Sequence, residues 1–371
     1  MSFYDLALKY QKIDFDYLFS KNTNKDIINI LSKDNIDFSD FIALIKNESL
    51  EYLESIAEKV QKITINNFGK TVLMYTPMYI ANFCVNRCAY CGFNIDNKIR
   101  RTKLTLKEIE NEAINISNKG FKHILLLTGE DPKRSSVEYI GEAVKVLRKY
   151  FSSIGIEIYP LHTEEYRYLK DLGVDSLTIY QETYDMKIYD RVHLSGPKKD
   201  YMFRVNAPER AIEGGINCVN IGALLGLRPF REEVCVMALH GLYLLEKYPW
   251  IDLSFSFPRI RPHAGEFNDV CPVYDEELVQ AILALRLLFP KAGMTISTRE
   301  EGSFRDNIIP LGITKMSADS STEVGGHSKV DEEKGEAQFE ISDNRNEIEV
   351  MNAIRNKGYN PVFKDWVGYK L

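Results

Sequence analysis

From residue 71 onward, short apolar or β-branched runs alternate with longer amphipathic stretches, and no other feature narrows the available folds so far. Candidate strands fall at 71–80, 124–130, 156–161, 176–183, 218–226, 252–260, 294–299 and 313–321. Between most of them lie helical patterns at 105–119, 137–150, 164–172, 207–214, 232–248 and 275–289. Strands that alternate with helices form a parallel sheet covered by those helices. Eight such units describe a TIM-type (β/α)8 barrel of the α/β class better than an open doubly wound sheet. Residues 1–70 read as helical and polar, with an amphipathic pattern near 42–60. A last helical pattern at 346–357 precedes the aromatic residues Phe363, Trp366 and Tyr369. The expected organisation is an N-terminal helical extension (1–70), one barrel (71–335) and a C-terminal closing segment (336–371).

Composition excludes several classes of function. A net charge of −6 offers no basic footprint for nucleic acid. No window approaches the roughly 20 apolar residues needed to span a membrane, and the first residues lack the basic and apolar regions of a secretory signal. Six cysteines in 371 residues do not make a disulfide scaffold, so a reducing cytoplasm is the expected location.

The predicted strand ends carry polar residues on one face. Strand four presents Ser176, Thr178, Tyr180 and Glu182, and strand six presents Ser254 and Ser256. Strand seven presents Thr295, Ser297 and Arg299, and strand eight Ser317, Asp319 and Ser321. Barrel active sites form at the C-terminal ends of the strands, where alternate side chains face the lumen. A lumen lined in this way is too polar to be packing alone.

Strand one delivers the chain to that end just before Cys84, Cys88 and Cys91. Three thiolates hold three irons of a cubane cluster and leave the fourth iron open. A structural zinc site needs four ligands, usually from paired short spacings, and the nearest histidine in sequence is His123. Three merely buried cysteines would need apolar surroundings, whereas Asn82, Asn86, Arg87 and Asn94 are their neighbours. Cys218 and Cys235 lie in apolar runs as core fillers, and Cys271 has no nearby partner. The rival reading of a different class is a non-catalytic iron–sulfur or zinc protein on a barrel scaffold.

The Cys-x3-Cys-x2-Cys spacing, with an aromatic before the third cysteine, is the hallmark of radical S-adenosylmethionine (SAM) enzymes. From about residue 70 the chain further carries Leu-Leu-Thr-Gly-Glu, Tyr-Gln-Glu-Thr-Tyr, a His193-to-Arg204 stretch with Gly-Pro-Lys-Lys-Asp-Tyr, and Ser-Phe-Pro-Arg-Ile-Arg-Pro. Ser-Thr-Arg-Glu and Phe-Lys-Asp-Trp follow. Together these motifs resemble the tyrosine lyases of thiamin biosynthesis, the 2-iminoacetate synthase (ThiH) family. That resemblance implies a [4Fe–4S] cluster that cleaves SAM to a 5′-deoxyadenosyl radical, which takes a hydrogen from the amino group of L-tyrosine. Breaking the Cα–Cβ bond then gives a 4-oxidobenzyl radical, which becomes p-cresol, and 2-iminoacetate (dehydroglycine). It also implies an external electron donor such as flavodoxin or ferredoxin and a thiazole synthase partner. The related alternatives are tryptophan lyase and the tyrosine lyase of hydrogenase maturation. The latter carries a C-terminal extension with further cysteines, whereas the last cysteine here is Cys271.

By the same resemblance, Gly129 and Glu130 hold the SAM ammonium group, and Glu182 and Arg204 contact its ribose and carboxylate. Tyr90 and Phe93 flank the adenine, and the Gly222 backbone lies along the adenosine. Arg299, at the end of strand seven beside Ser297, is the expected clamp for the substrate carboxylate, since arginine grips carboxylates with a two-pronged fork. Ser254 and Ser256 are expected to bond the substrate's polar ends. His193, in a Gly-Pro loop, is read as solvated and receives no role in proton transfer.

Overall fold

A computed structural model describes residues 1–21, 27–329 and 334–364. Eight parallel strands close on themselves: β1 (Thr71–Ala81), β2 (His123–Thr128), β3 (Ser153–Glu157), β4 (Ser176–Glu182), β5 (Cys218–Ala223), β6 (Asp252–Ser256), β7 (Gly293–Ile296) and β8 (Lys315–Ser317). Each pairs with the next, and β1 pairs with both β2 and β8, which completes the barrel. The strands read as near-continuous apolar runs because helices cover them outside and side chains fill them inside.

Pro77 lies within β1, where a proline normally breaks a ladder. Here the Leu73 amide bonds the Thr314 carbonyl and the Ala318 amide bonds the Tyr75 carbonyl, after which the pairing with β8 stops. Amides alternate in direction along a strand, so the donor that Pro77 lacks would have pointed past the end of that ladder. The proline costs the barrel no hydrogen bond.

The outer helices match the sequence pattern to within a few residues, as in Leu106–Asn118, Val137–Leu147, Ala207–Glu213 and Asp275–Leu288. Thr105 shows the local logic: its hydroxyl accepts from the Glu108 amide while Glu108 accepts from the Thr105 amide, closing a capping box. The stretch read as one amphipathic pattern near 42–60 divides into Phe38–Leu44, a 3-10 turn at Asn47–Tyr52, and Leu53–Phe68. The first helix, Phe3–Tyr10, stacks its Phe3 ring on His240 at 3.8 Å and bonds the Phe3 amide to Glu209. At the C-terminal side a short ninth strand, β9 (Asn360–Val362), pairs with the start of β1. No run of apolar or β-branched residues marks it in advance. Phe363 packs edge-on against Phe121, while Trp366 and Tyr369 lie outside the described residues.

Three strands differ from their expected bounds in ways that matter for the site. β3 starts three residues earlier than expected, at Ser153, so Glu157 is its last residue. β7 ends at Ile296, which places Ser297 and Arg299 in the loop beyond it and not on the strand. β8 ends at Ser317, and Asp319 adopts a left-handed φ of 50° that turns it outward to Lys119 on a covering helix, at 2.6 Å. Asp319 is therefore not a lumen residue.

Candidate active site

The loop after β1 is held from two sides. On one side, Cys88 pairs antiparallel with His193, the Ala89 amide bonds the Val192 carbonyl, and the Arg87 amide bonds the Ser195 carbonyl. Asp185 starts the helix Met186–Val192 that brings His193 there, accepting the Lys187 and Ile188 amides at 2.8 Å. On the other side, Arg101 donates to the carbonyls of Asn82, Phe93 and Asn94 at 2.6–2.8 Å. The glycine of the Thr-Gly-Glu motif is required at this point, since a Cβ on Gly129 would overlap the Phe83 carbonyl.

Burial raises the pKa of the Cys84 and Cys88 thiols, and the neighbouring cysteines of the triplet raise them further. Donors are aimed at them. Asn86 Nδ2 lies 3.7 Å from Cys84 Sγ, Gln338 Nε2 lies 3.7 Å from Cys91 Sγ, and the amides of Asn86 and Glu130 also favour the Cys84 thiolate. Lys198 does the same for Cys88. Three cysteines on one loop, with side-chain and backbone donors aimed at their sulfurs, are a donor set that fits three irons of a cubane cluster and leaves the fourth iron open.

Beside this loop, Glu130, which lies two residues beyond the end of β2 and not on the strand, accepts from Asn86 at 2.6 Å; burial raises its pKa, with Asn86 opposing. Asn86 also accepts the Lys198 amide at 2.9 Å, so one side chain ties Cys84, Glu130 and the 196–199 turn together. Glu182 has a φ of 70° at a bulge, where Tyr180 and Glu182 face Gly222 and Ala223 with Gln181 between them. The bulge aims its carboxylate at Lys198 (2.7 Å) and Arg204 (3.1 Å). Burial alone would raise the Glu182 pKa, but the two cations outweigh it and hold the carboxyl ionised below its ordinary range. Arg204 also bonds the Tyr180 carbonyl at 2.8 Å. Glu130, Glu182 and Arg204 thus line one side of the cysteine loop, together with Lys198 and Asn86, which sequence reasoning missed.

Other expected residues stand differently. Tyr90 lies beside Lys198 and donates its hydroxyl to His193 Nε2 at 2.7 Å. His193 must donate from Nδ1, because that nitrogen faces the Tyr189 carbonyl at 2.8 Å. His193 is fully buried, not solvated, and burial pushes its pKa down to about 3. It is a neutral strut for the cysteine loop. Phe93 is 2% exposed and packs edge-on against Tyr79 in the core, so it cannot flank an adenine. Gly222 is covered by the Tyr180 ring and the Ser256 carbonyl, which a Cβ would meet at 2.8 and 2.7 Å; it seats that ring and offers no open backbone. Ser254 packs against Gly293 in a small polar cavity of the lower lumen with Tyr75, His123 and Thr295, away from the loops. Ser256 accepts from Asn220 at 2.7 Å and is spoken for within the barrel.

Arg299 reaches the site from the opposite wall. Glu300 does not hold it, because Glu300 is paired with Arg259 and Arg261. The Arg299 guanidinium lies over the Phe339 ring at 3.4 Å, and its one bond among the described residues is a long one to the Arg259 carbonyl at 3.4 Å. Ser297 accepts the Arg299 amide at 3.4 Å. Phe339 and Gln338 belong to the segment before the last helix, and Gln338 also accepts from Tyr79 at 2.8 Å. An open arginine fork over a cysteine loop is suited to an anionic substrate group.

Comparison with known proteins agrees with this geometry. Residues 78–234 match the model of the radical SAM superfamily, and residues 256–360 match the biotin and thiamin synthesis associated domain. The chain is 38% identical to 2-iminoacetate synthase of Salmonella typhimurium over 345 residues, covering 93% of this chain and 91% of that one. It is 37% identical to the Escherichia coli 2-iminoacetate synthase, covering 97% and 96%. Among solved structures, the FeFe-hydrogenase maturase HydG of Carboxydothermus hydrogenoformans superposes with a TM-score of 0.87 at 30% identity, covering 97% of this chain and 84% of that one. With the cysteine triplet, the closed barrel and these relatives in agreement, the chain belongs to the radical SAM superfamily and, within it, to the 2-iminoacetate synthase family.

Proposed function

We propose that this enzyme is a carbon–carbon lyase that cleaves the Cα–Cβ bond of L-tyrosine to p-cresol and 2-iminoacetate. The observation that carries the reading is near full-length similarity, in both directions, to two 2-iminoacetate synthases. The [4Fe–4S] cluster and SAM that the family implies supply, when bound, a one-electron cleavage that creates a carbon radical. The chain's own residues do the positioning. Cys84, Cys88 and Cys91 would hold three irons, and Glu130, Glu182 and Arg204 would orient the polar groups of SAM beside them. Arg299 would grip the substrate carboxylate and so fix the α-amino group toward that side of the lumen. Alignment of this kind is worth several orders of magnitude in rate.

The product 2-iminoacetate hydrolyses easily, which favours hand-over to a thiazole synthase partner, with flavodoxin or ferredoxin as reductant. Among the described residues no helix is long and apolar enough to cross a membrane. The test is an anaerobic reaction of cluster-loaded enzyme with SAM, reductant and either tyrosine or tryptophan. Tyrosine is expected to give p-cresol and glyoxylate, the hydrolysis product of 2-iminoacetate, without carbon monoxide or cyanide. Turnover of tryptophan in place of tyrosine would move the chain to a different aromatic lyase, and either gas-forming product would move it to the hydrogenase-maturation activity.

A further inference from the structure

Glu157 ends β3 inside the lumen, in register with Leu127 of β2, which in turn is level with Tyr79 of β1. Among the described residues no donor bonds its carboxyl and no cation pairs with it within 4.0 Å. That sets it apart from Glu130, which Asn86 holds, and Glu182, which Lys198 and Arg204 hold. Its neighbours are polar. Glu157 is the charge that weighs most on the hydroxyls of three lumen tyrosines, Tyr75, Tyr79 and Tyr180. Arg299 is the charge that weighs most on Glu157 itself, yet the two do not pair. Glu157, Tyr180, Ser297 and Arg299 are each half-buried, so none of the four is sealed into the core. Burial pushes the Glu157 pKa up to about 7, with Arg299 opposing and Glu182 adding to the rise. An unpaired carboxyl kept in such a place at a cost to folding calls for a ligand to meet it.

We propose that Glu157 accepts the phenol O–H of the substrate and so selects a hydroxyl-bearing ring. The inference rests on the tyrosine-lyase reading and deepens it. On an amino acid the ammonium group adjoins the carboxylate, so with the carboxylate on Arg299 the ammonium stays close to that arginine. The ring and its hydroxyl project away from it, toward the side of the lumen where Glu157 ends β3. A ring without the hydroxyl would strip water from Glu157 and return no hydrogen bond. Sites built to bond a substrate hydroxyl reject the analogue lacking it for that reason, by factors that reach about 10,000.

The test is equilibrium binding of tyrosine and phenylalanine to the cluster-loaded, SAM-bound enzyme without reductant, followed by calorimetry. Wild type is expected to prefer tyrosine by roughly 100-fold or more. Glu157→Gln, which keeps a carbonyl acceptor and the side-chain shape, should weaken tyrosine binding about tenfold while phenylalanine binds no more weakly than to wild type, since an amide is less costly to desolvate than a carboxylate. Glu157→Leu should bring tyrosine to the level of phenylalanine; iron content and circular dichroism report whether it folds, and the Gln variant carries the test if it does not. A tyrosine-to-phenylalanine ratio that stays at the wild-type value in Glu157→Gln and Glu157→Leu would overturn the proposal, including the case where both ligands weaken together because the carboxyl meets the ammonium. Absence of p-cresol from wild-type enzyme overturns the functional reading instead, so the two failures are told apart.

Discussion

Alanine at Cys84, Cys88 or Cys91 is expected to abolish the iron–sulfur chromophore and with it all cleavage of SAM. Each of the three sulfurs has its own place in the fold: Cys88 paired against His193, Cys84 under Asn86 and the Glu130 amide, Cys91 beneath Gln338. Among the described residues there is no fourth thiol near them to substitute. The other cysteines serve elsewhere. Cys218 opens β5 at the lower lumen, Cys235 is buried in the helix Phe230–Lys247, and the Cys271 amide bonds the Gly226 carbonyl in a loop. Alanine at these three should leave iron and sulfide content unchanged, with a loss of stability at the buried Cys235. Iron and sulfide analysis of anaerobically purified variants, alongside 5′-deoxyadenosine formation, reads both halves of the expectation. A triplet variant that kept its iron would overturn the cluster assignment.

The second large effect is expected at Arg299. Its partners in the fold are weak, a stacked Phe339 ring and one long bond to a carbonyl, because Arg259 and Arg261 have taken Glu300. The fork is therefore free for two parallel charge-assisted bonds to a carboxylate. Removing one partner of a desolvated pair costs about 3–5 kcal/mol, so Arg299→Ala should lower kcat/KM for p-cresol by at least about 100-fold. Arg299→Lys keeps the charge without the planar fork and should lose about 10-fold or more. Neither change should alter iron content, and SAM cleavage uncoupled from p-cresol should rise as a share of turnover. Wild-type kinetics in Arg299→Lys, or loss of its cluster, would show that the arginine serves something other than the substrate.

How much of this was legible in the sequence depended on the range of the interactions. The barrel was, because eight alternating units carry period and length signals that are local to each strand and helix. So was the cysteine triplet, which is a single loop. The precise strand ends were not: the apolar run from Ile156 to Leu161 drew the third strand downstream, whereas pairing with β2 fixes it at Ser153–Glu157. That shift hid Glu157, which only as a strand-end residue becomes a lumen carboxyl. Asn86, Lys198 and Gln338 were missed because each acts on a partner far away in the chain or, for Asn86, on several at once. Tyr90 and Phe93 looked alike as aromatics of one motif, yet one borders the site and the other fills the core beside Tyr79. Gly222 and Ser254 show the same limit, since a glycine's open face and a serine's depth in a barrel are set by neighbours on other strands. His193 was misread for want of its partner Tyr90.

The central claim, hydrogen abstraction from the amine of tyrosine leading to Cα–Cβ cleavage, is tested most directly by one reaction run in deuterated water. The amino hydrogens of tyrosine exchange with solvent, whereas its carbon-bound hydrogens do not. Cluster-loaded enzyme with SAM, reductant and tyrosine should form 5′-deoxyadenosine carrying one solvent deuterium, together with p-cresol, as followed by mass spectrometry. Undeuterated 5′-deoxyadenosine, or deuterated product with no p-cresol, would contradict the account.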